Sequence, residues 1–235
     1  MKNIKLVLLR HGQSLWNKQK RFTGWTDIGL SEEGKEEAAA AGEILKKNGF
    51  IFDLALTSTL KRAVETLTIV LKKMNHPVIP IKQSFRLNEK HYGDLQGKSK
   101  LKMIKKYGEN QVHLWRRGYD VRPPALKKPV NGEPLTESLK DVFKRVLAYW
   151  QEEIVSELKL GKRILISAHG NSLRALIKYL DKVSDENISK INIPTGLPLV
   201  YEFSSDLKPV KHYYLGDPKK VTQAMSAEVN QLKKK

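Results

Sequence analysis

Cysteine is absent from the 235 residues, which excludes disulfides, thiol chemistry and thiolate metal sites. Long hydrophobic runs are absent as well: none approaches the roughly 18–20 residues of a membrane span. The apolar opening, Met1-Lys2-Asn3-Ile4-Lys5-Leu6-Val7-Leu8-Leu9, is too short for a signal h-region, has no small-residue cleavage site and stops at Arg10. It reads as a first, buried strand, and the chain is expected in the cytoplasm, away from membranes. No internal repeat and no linker-like segment splits the sequence. Acidic side chains are scarce, with 25 Asp and Glu against 43 Lys and Arg, a formal charge of +18. Such a field attracts anions without choosing among nucleic acid, anionic lipid and small phosphorylated metabolites. Much of the excess is Lys on predicted helix faces (Lys46, Lys47, Lys72, Lys73, Lys105, Lys106) and at Lys233–Lys235, where it reads as solvated surface. No helix-turn-helix, zinc-finger or RNP-like pattern accompanies the charge, so nucleic acid is not an expected partner.

What is present is alternation. Short apolar runs interleave with helical patterns, the signature of βαβ units and a parallel sheet. The fold expected is a three-layer α/β/α domain with a mostly parallel sheet over residues 1–216, followed by a polar, mobile tail over 217–235 that could act as a lid. Strands are predicted at Ile4–Leu9, Leu54–Thr57, Val78–Ile81, Arg163–Ala168, Leu199–Phe203 and Val210–Tyr214, the last two as a hairpin or edge strands. Helices are predicted from the Ser31 cap to about Asn48, from Ser58 to Met74, near 100–107 and 109–117, from Thr136 to Leu158 and from Ser172 to Leu180. Between them lie a polar stretch over 83–99, too long for a simple connection, and a Pro/Lys/Gly-rich loop over 118–134. Long loops in compact domains are often functional.

Ligands of open parallel sheets bind beyond the carboxyl ends of strands. Two strands end alike, in Leu9-Arg10-His11-Gly12 and Ala168-His169-Gly170-Asn171, and a third runs through Thr57-Ser58 into a helix whose first turn carries Arg62. Together they would bring two imidazoles and two guanidinium groups to one crevice. Buried core histidines are one reading of this pattern and a metal site is another. Arg10 and Arg62 would repel a dication, however, and no HxH or HExxH spacing occurs. Phosphoryl chemistry fits better: an imidazole nitrogen can attack phosphorus while Arg forks neutralise the equatorial oxygens.

The series Arg10-His11-Gly12-Gln13-Ser14-Leu15-Trp16-Asn17, Phe22-Thr23-Gly24-Trp25-Thr26-Asp27, Thr57-Ser58-Thr59-Leu60-Lys61-Arg62-Ala63, Leu87 to Gly97, Trp115-Arg116-Arg117, Ala168 to Arg174 and Ile193-Pro194-Thr195-Gly196 resembles the cofactor-dependent phosphoglycerate mutases of the histidine phosphatase superfamily. The likeness runs to about Gly216. It implies that His11 is the nucleophile that becomes phosphohistidine, that Arg10, Arg62 and His169 hold the transferring group, and that Glu89 is the general acid/base. It also implies that Ser14, Asn17, Thr23, Gly24, Gly170 and Asn171 belong to the same pocket, while Tyr92, Lys100, Arg116 and Arg117 grip the carboxylate and distal phosphate. The implied reaction interconverts 3-phosphoglycerate and 2-phosphoglycerate, primed by 2,3-bisphosphoglycerate and without a metal, in a homodimer or homotetramer.

The same quartet serves mutases, bisphosphoglycerate synthases and hydrolases, so it cannot separate them. Ser14 and Thr23-Gly24 look like the mutase rather than the synthase, and the 89–97 and 115–117 segments are unusual for the hydrolases. Hydrolysis of small phosphate esters is the alternative. Two departures stand out: Gln13 replaces the usual Glu after the triplet, and the connection over 120–134 is short.

Overall fold

The computed structural model describes residues 4–230, with side chains to residue 226. The opening Met1–Asn3 and the lysines at 233–235 lie outside the described residues. Six strands form one sheet in the order β3-β2-β4-β1-β5-β6. In it β1 (Ile4–Arg10), β2 (Leu54–Thr57), β3 (Ile81–Gln83) and β4 (Ile164–Ala168) run parallel, while β5 (Leu199–Phe203) is antiparallel to β1 and β6 (Pro209–Tyr214) antiparallel to β5. The expected α/β/α fold with a mostly parallel sheet is the one found.

The layers follow from side-chain alternation along β1. Leu6 and Leu8 face a core built with α6 (Leu139–Tyr149), α7 (Val155–Lys159) and α8 (Gly170–Leu180). Val7 and Leu9 face the other side, against α2 (Glu32–Lys47) and α3 (Lys61–Lys73). Ser31 caps α2 through its hydroxyl, with Glu32 and Glu33 at the positive end of the helix. A short α1 (Leu15–Lys18) follows the first strand, and α4 (Lys100–Tyr107) and α5 (Glu109–Arg117) lie where helices were expected. No described helix is long and apolar enough to cross a membrane.

Four of the differences from expectation have a physical reason each. The third strand begins at Ile81 rather than Val78, because Pro77 and Pro80 have no N–H to give a ladder; Val78 is fully exposed. Helix α3 begins at Lys61 rather than Ser58, since Ser58 and Thr59 spend their polar groups on His169 and Asn88. The helix predicted over 136–158 starts after the Ser138 capping box and is interrupted by a π turn at Trp150–Ile154. The wider turn lets both Tyr149 and Trp150 be buried. The segment read as a polar tail folds instead as α9 (Pro218–Asn230), started by the Asp217 carboxylate accepting from Lys219 N and by a proline at the first helical position. The last five residues of the expected lid lie outside the described residues.

Candidate active site

Sheet register builds the centre of the site. Arg10 of β1 pairs with Ala168 of β4, so the residues that follow, His11 and His169, leave adjacent strands side by side. The His11 N–H donates to Ala168 O (3.0 Å), and the two rings meet edge to face with centroids 4.9 Å apart. Thr57 of β2 pairs with Ser167 on the other flank of β4, which sets Ser58 Oγ 2.7 Å from His169 Nε2. Gly12 is required by close packing: a Cβ there would fall 2.1 Å from Gly34 O at the start of α2.

The tautomer of His11 follows from its neighbours. Nδ1 lies 2.7 Å from the Gly12 carbonyl, an acceptor, so Nδ1 carries the proton. Nε2 then has a bare lone pair, and Arg62 Nε donates towards it at 3.3 Å. Burial, with Arg62 and Arg10 beside it, holds this imidazole well below its ordinary pKa range. His169 is held low by burial, then by Arg62 and His11. Both rings are therefore neutral near neutral pH. Arg62 is itself anchored, with NH2 donating to Gly24 O at 2.8 Å and NH1 to Thr26 O at 3.2 Å. Arg10 NH1 donates to Ile193 O at 2.6 Å.

Glu89 arrives from the long 83–99 stretch. Its Oε1 accepts from Lys90 N (2.7 Å), Asn171 N (3.2 Å) and Asn171 Nδ2 (2.7 Å). Its Oε2 lies beside Gly170, where an added Cβ would sit 3.7 Å from that oxygen and 3.6 Å from Arg10 Cζ. The backbone carbonyl of Glu89 accepts from Trp25 Nε1 and from Arg145 NH2. Arg145 in turn forks onto both oxygens of Glu137 at 2.7 and 2.9 Å.

One cavity of about 620 Å³, open mouth included, is lined by Arg10, His11, Asn17, Thr23, Gly24 and Arg62. From the opposite elements Glu89, Tyr92, Lys100, Arg116, Arg117, Gly170 and Asn171 line it too. Of the residues predicted from sequence, His169 backs His11 from behind rather than lining the cavity, and Ser14 is set apart. Ser14 is fully buried as the N-cap of α1, bonded to Asn17 through its N–H and hydroxyl, so it positions Asn17 instead of reaching a ligand. Burial holds the Tyr92 hydroxyl in its protonated form, helped by the Glu89 charge.

Sequence reading missed Arg21, Phe22, Arg174 and Ile193 in the lining. A signal existed for Arg174, which follows Asn171 by three positions on a helix and so shares its face. Lys90 was passed over as well. It is fully buried, donates from Nζ to Trp115 O at 2.5 Å, and its pKa is lowered to about 7 by burial and then by Arg174. Gln13 turns away from the cavity, its Oε1 accepting from Ser31 Oγ at 2.9 Å. The short 120–134 connection packs directly on the Glu89 segment, with Pro124 O accepting from Asp94 N at 2.8 Å. Among the described residues no group of three or more His, Asp or Glu is placed to hold a metal.

Residues 6–214 match the histidine phosphatase superfamily (branch 1). Among solved structures, the chain is similar to mycobacterial glucosyl-3-phosphoglycerate phosphatase in complex with VO3, at 26% identity and TM-score 0.72 over 89% of this chain and 96% of that one. A protein described as mycobacterial hydrolase 1 gives 26% identity and TM-score 0.72 over 90% and 96%. YhfR from Bacillus stearothermophilus gives 28% identity and TM-score 0.68 over 85% and 91%.

Proposed function

This chain belongs to branch 1 of the histidine phosphatase superfamily, and on that premise we propose that it moves phosphoryl groups of small, multiply anionic phosphate esters through His11, ending in hydrolysis or, as the second reading, in exchange between 3-phosphoglycerate and 2-phosphoglycerate. The observation that carries the reading is the charge layout of the cavity. Arg10 and Arg62 flank the His11 ring, while Arg21, Lys100, Arg116, Arg117 and Arg174 line the same space against a single carboxylate, Glu89. A lone phosphate is served by the first pair. The second group suits a substrate with further anionic ends, such as a carboxylate and another phosphate.

In this reading His11 Nε2 attacks phosphorus in line. The P–N bond forms as the ester P–O bond breaks, and the departing alkoxide takes a proton from Glu89. Arg10 and Arg62 carry the charge that gathers on the equatorial oxygens, while His169 supports the His11 ring from behind. The reverse step gives the phosphoryl group to the neighbouring hydroxyl, whose proton returns to Glu89. Neutral His11 needs no deprotonation before attack. A 2,3-bisphosphoglycerate primer, when bound, supplies the phosphoryl group that loads His11. The donors present fit such a polyanion, for Thr23 Oγ1 is buried in the lining without a partner among the described residues. Arg10, Arg62, Asn17 and Thr23 would hold one phosphate, and Tyr92, Lys100, Arg116 and Arg117 the remaining anionic groups.

Hydrolysis is the reading that the comparisons favour over isomerisation. The solved relatives with descriptive names are called a phosphatase and a hydrolase. Water would then take the place of the second hydroxyl, with Glu89 as its base. The name of the first relative contains a phosphoglycerate ester, so both readings share one recognised moiety.

The deciding experiment supplies 3-phosphoglycerate with and without 2,3-bisphosphoglycerate and follows both 2-phosphoglycerate and inorganic phosphate. A mutase gives primer-dependent 2-phosphoglycerate with little free phosphate; dominant phosphate release, indifferent to primer, assigns the hydrolase. Alkaline quenching and mass mapping should find the label on His11 in either case. Label on another residue rejects both.

A further inference from the structure

Arg174 lies on α8 one turn beyond Asn171 and is 2% exposed. Its NH1 donates to Asn171 Oδ1 at 2.9 Å, and its NH2 donates to Arg117 O at 2.8 Å and to Ile188 O at 2.7 Å. Its Nε has no partner among the described residues. Burying a guanidinium near Arg116 and Arg117 is unfavourable. Burial and then Arg117 lower its pKa to about 9. Packing alone does not call for a cation here, since its contacts are to a side-chain amide and two carbonyls.

An asparagine amide has a donor end and an acceptor end, whereas a guanidinium only donates. With Oδ1 held by Arg174, Nδ2 is left to donate to Glu89 Oε1 at 2.7 Å and to Tyr92 OH at 3.2 Å. Turning the amide over would set Nδ2 against the Arg174 donor and Oδ1 against the Glu89 carboxylate. Two hydrogen bonds would become two repulsive contacts. We propose that Arg174 is a positioning residue for phosphoryl transfer: it fixes the Asn171 amide so that Glu89 keeps Oε1 occupied and presents Oε2 alone to the reacting hydroxyl. The inference rests on the reading of Glu89 as proton carrier, in mutase and hydrolase alike. As the ester P–O bond breaks and the P–N bond to His11 forms, the proton on Oε2 passes to the leaving alkoxide; in the return step the attacking hydroxyl gives it back.

Two esters test this. The alkoxide leaving from 3-phosphoglycerate must gain a proton, and the phenolate leaving from para-nitrophenyl phosphate need not. Single-turnover phosphorylation of His11 by each ester, read by alkaline-quenched mass spectrometry, gives an alkyl-to-aryl rate ratio. Glu89→Gln should lower that ratio about 10²-fold, within the range a positioned proton carrier supplies. Arg174→Met should lower it about tenfold, a part of the same effect. The double variant should fall no further in this ratio than Glu89→Gln alone. Arg174→Lys, which retains a charge and a donor, should recover part of the ratio, and it carries the test if the Met variant does not fold. Equal slowing of both esters in the Arg174 variants, or an additive loss in the double variant, overturns the proposal. An unchanged ratio in Glu89→Gln instead defeats the proton-carrier reading itself, so the two failures are told apart.

Discussion

The two halves of the cavity are built by different means. The half around His11 hangs from three neighbouring parallel strands, whose ladder places His11, His169 and Ser58 within a few residues of their paired positions. The half around Glu89 and the α5 cations has no strand beneath it. It is held by polar ties from buried or half-buried side chains: Arg145 to Glu137 and to Glu89 O, Lys90 to Trp115 O, Arg174 to Arg117 O. Backbone register supports the chemistry in the first half. In the second, polar ties from side chains supply the support.

Three substitutions sharpen or break that contrast, in falling order of effect. Arg62→Gln, in the strand-built half, removes charge from the transferring group and should lower kcat about 10³-fold, as loss of one preorganised donor does. The folded state should survive, because the ladder remains; a collapse of the near-UV circular dichroism would show that this half also depends on side chains. Arg145→Met, in the other half, leaves Glu137 buried without its counter-charge, with side-chain exposures of 13% and 7% for the pair. It should cost about 3 kcal/mol of stability and lower kcat as the Glu89 carbonyl loses an anchor, both read from urea melts and steady-state rates. Unaltered stability would mean that the segment holds itself. The smallest effect on activity concerns Lys90. Its folded-state pKa of about 7 lies below the ordinary 10.5, so between those values the unfolded chain binds the extra proton. Stability therefore rises with pH through that window, and the burial penalty is fully present below it. Lys90→Met removes this slope: the wild type should gain on the variant between pH of about 7 and about 9.5 in paired urea melts. Parallel curves would show that Lys90 is not held near neutrality.

The same contrast governs what could be read in advance. Strand ends carrying Arg10-His11-Gly12 and His169-Gly170 announce themselves, because apolar runs mark the strands and the motif residues follow at fixed offsets. The strand over 54–57 and helices near 100–107 and 109–117 were legible for the same local reasons. Lys90 was not, and Arg174 carried only its spacing from Asn171. A lysine reads as a solvated cation until packing removes the water, and no local pattern says that its loop will bury it. Ser14 erred the other way: a motif position suggested a ligand contact, and the capping box at Ser14 and Asn17 claimed its hydroxyl. The tail became a helix through an Asp-Pro start and a run of helix formers, a signal that its polar character masked.

Read along the chain, the residues already specify the layered α/β plan, the cationic surplus and the pairing of imidazole with guanidinium, because alternation, net charge and motif spacing are properties of the chain. Which nitrogen of His11 is bare, which way the Asn171 amide points and which cations are buried were settled by folding. Those depend on contacts between residues far apart in sequence, where water has been excluded and each donor must find its acceptor.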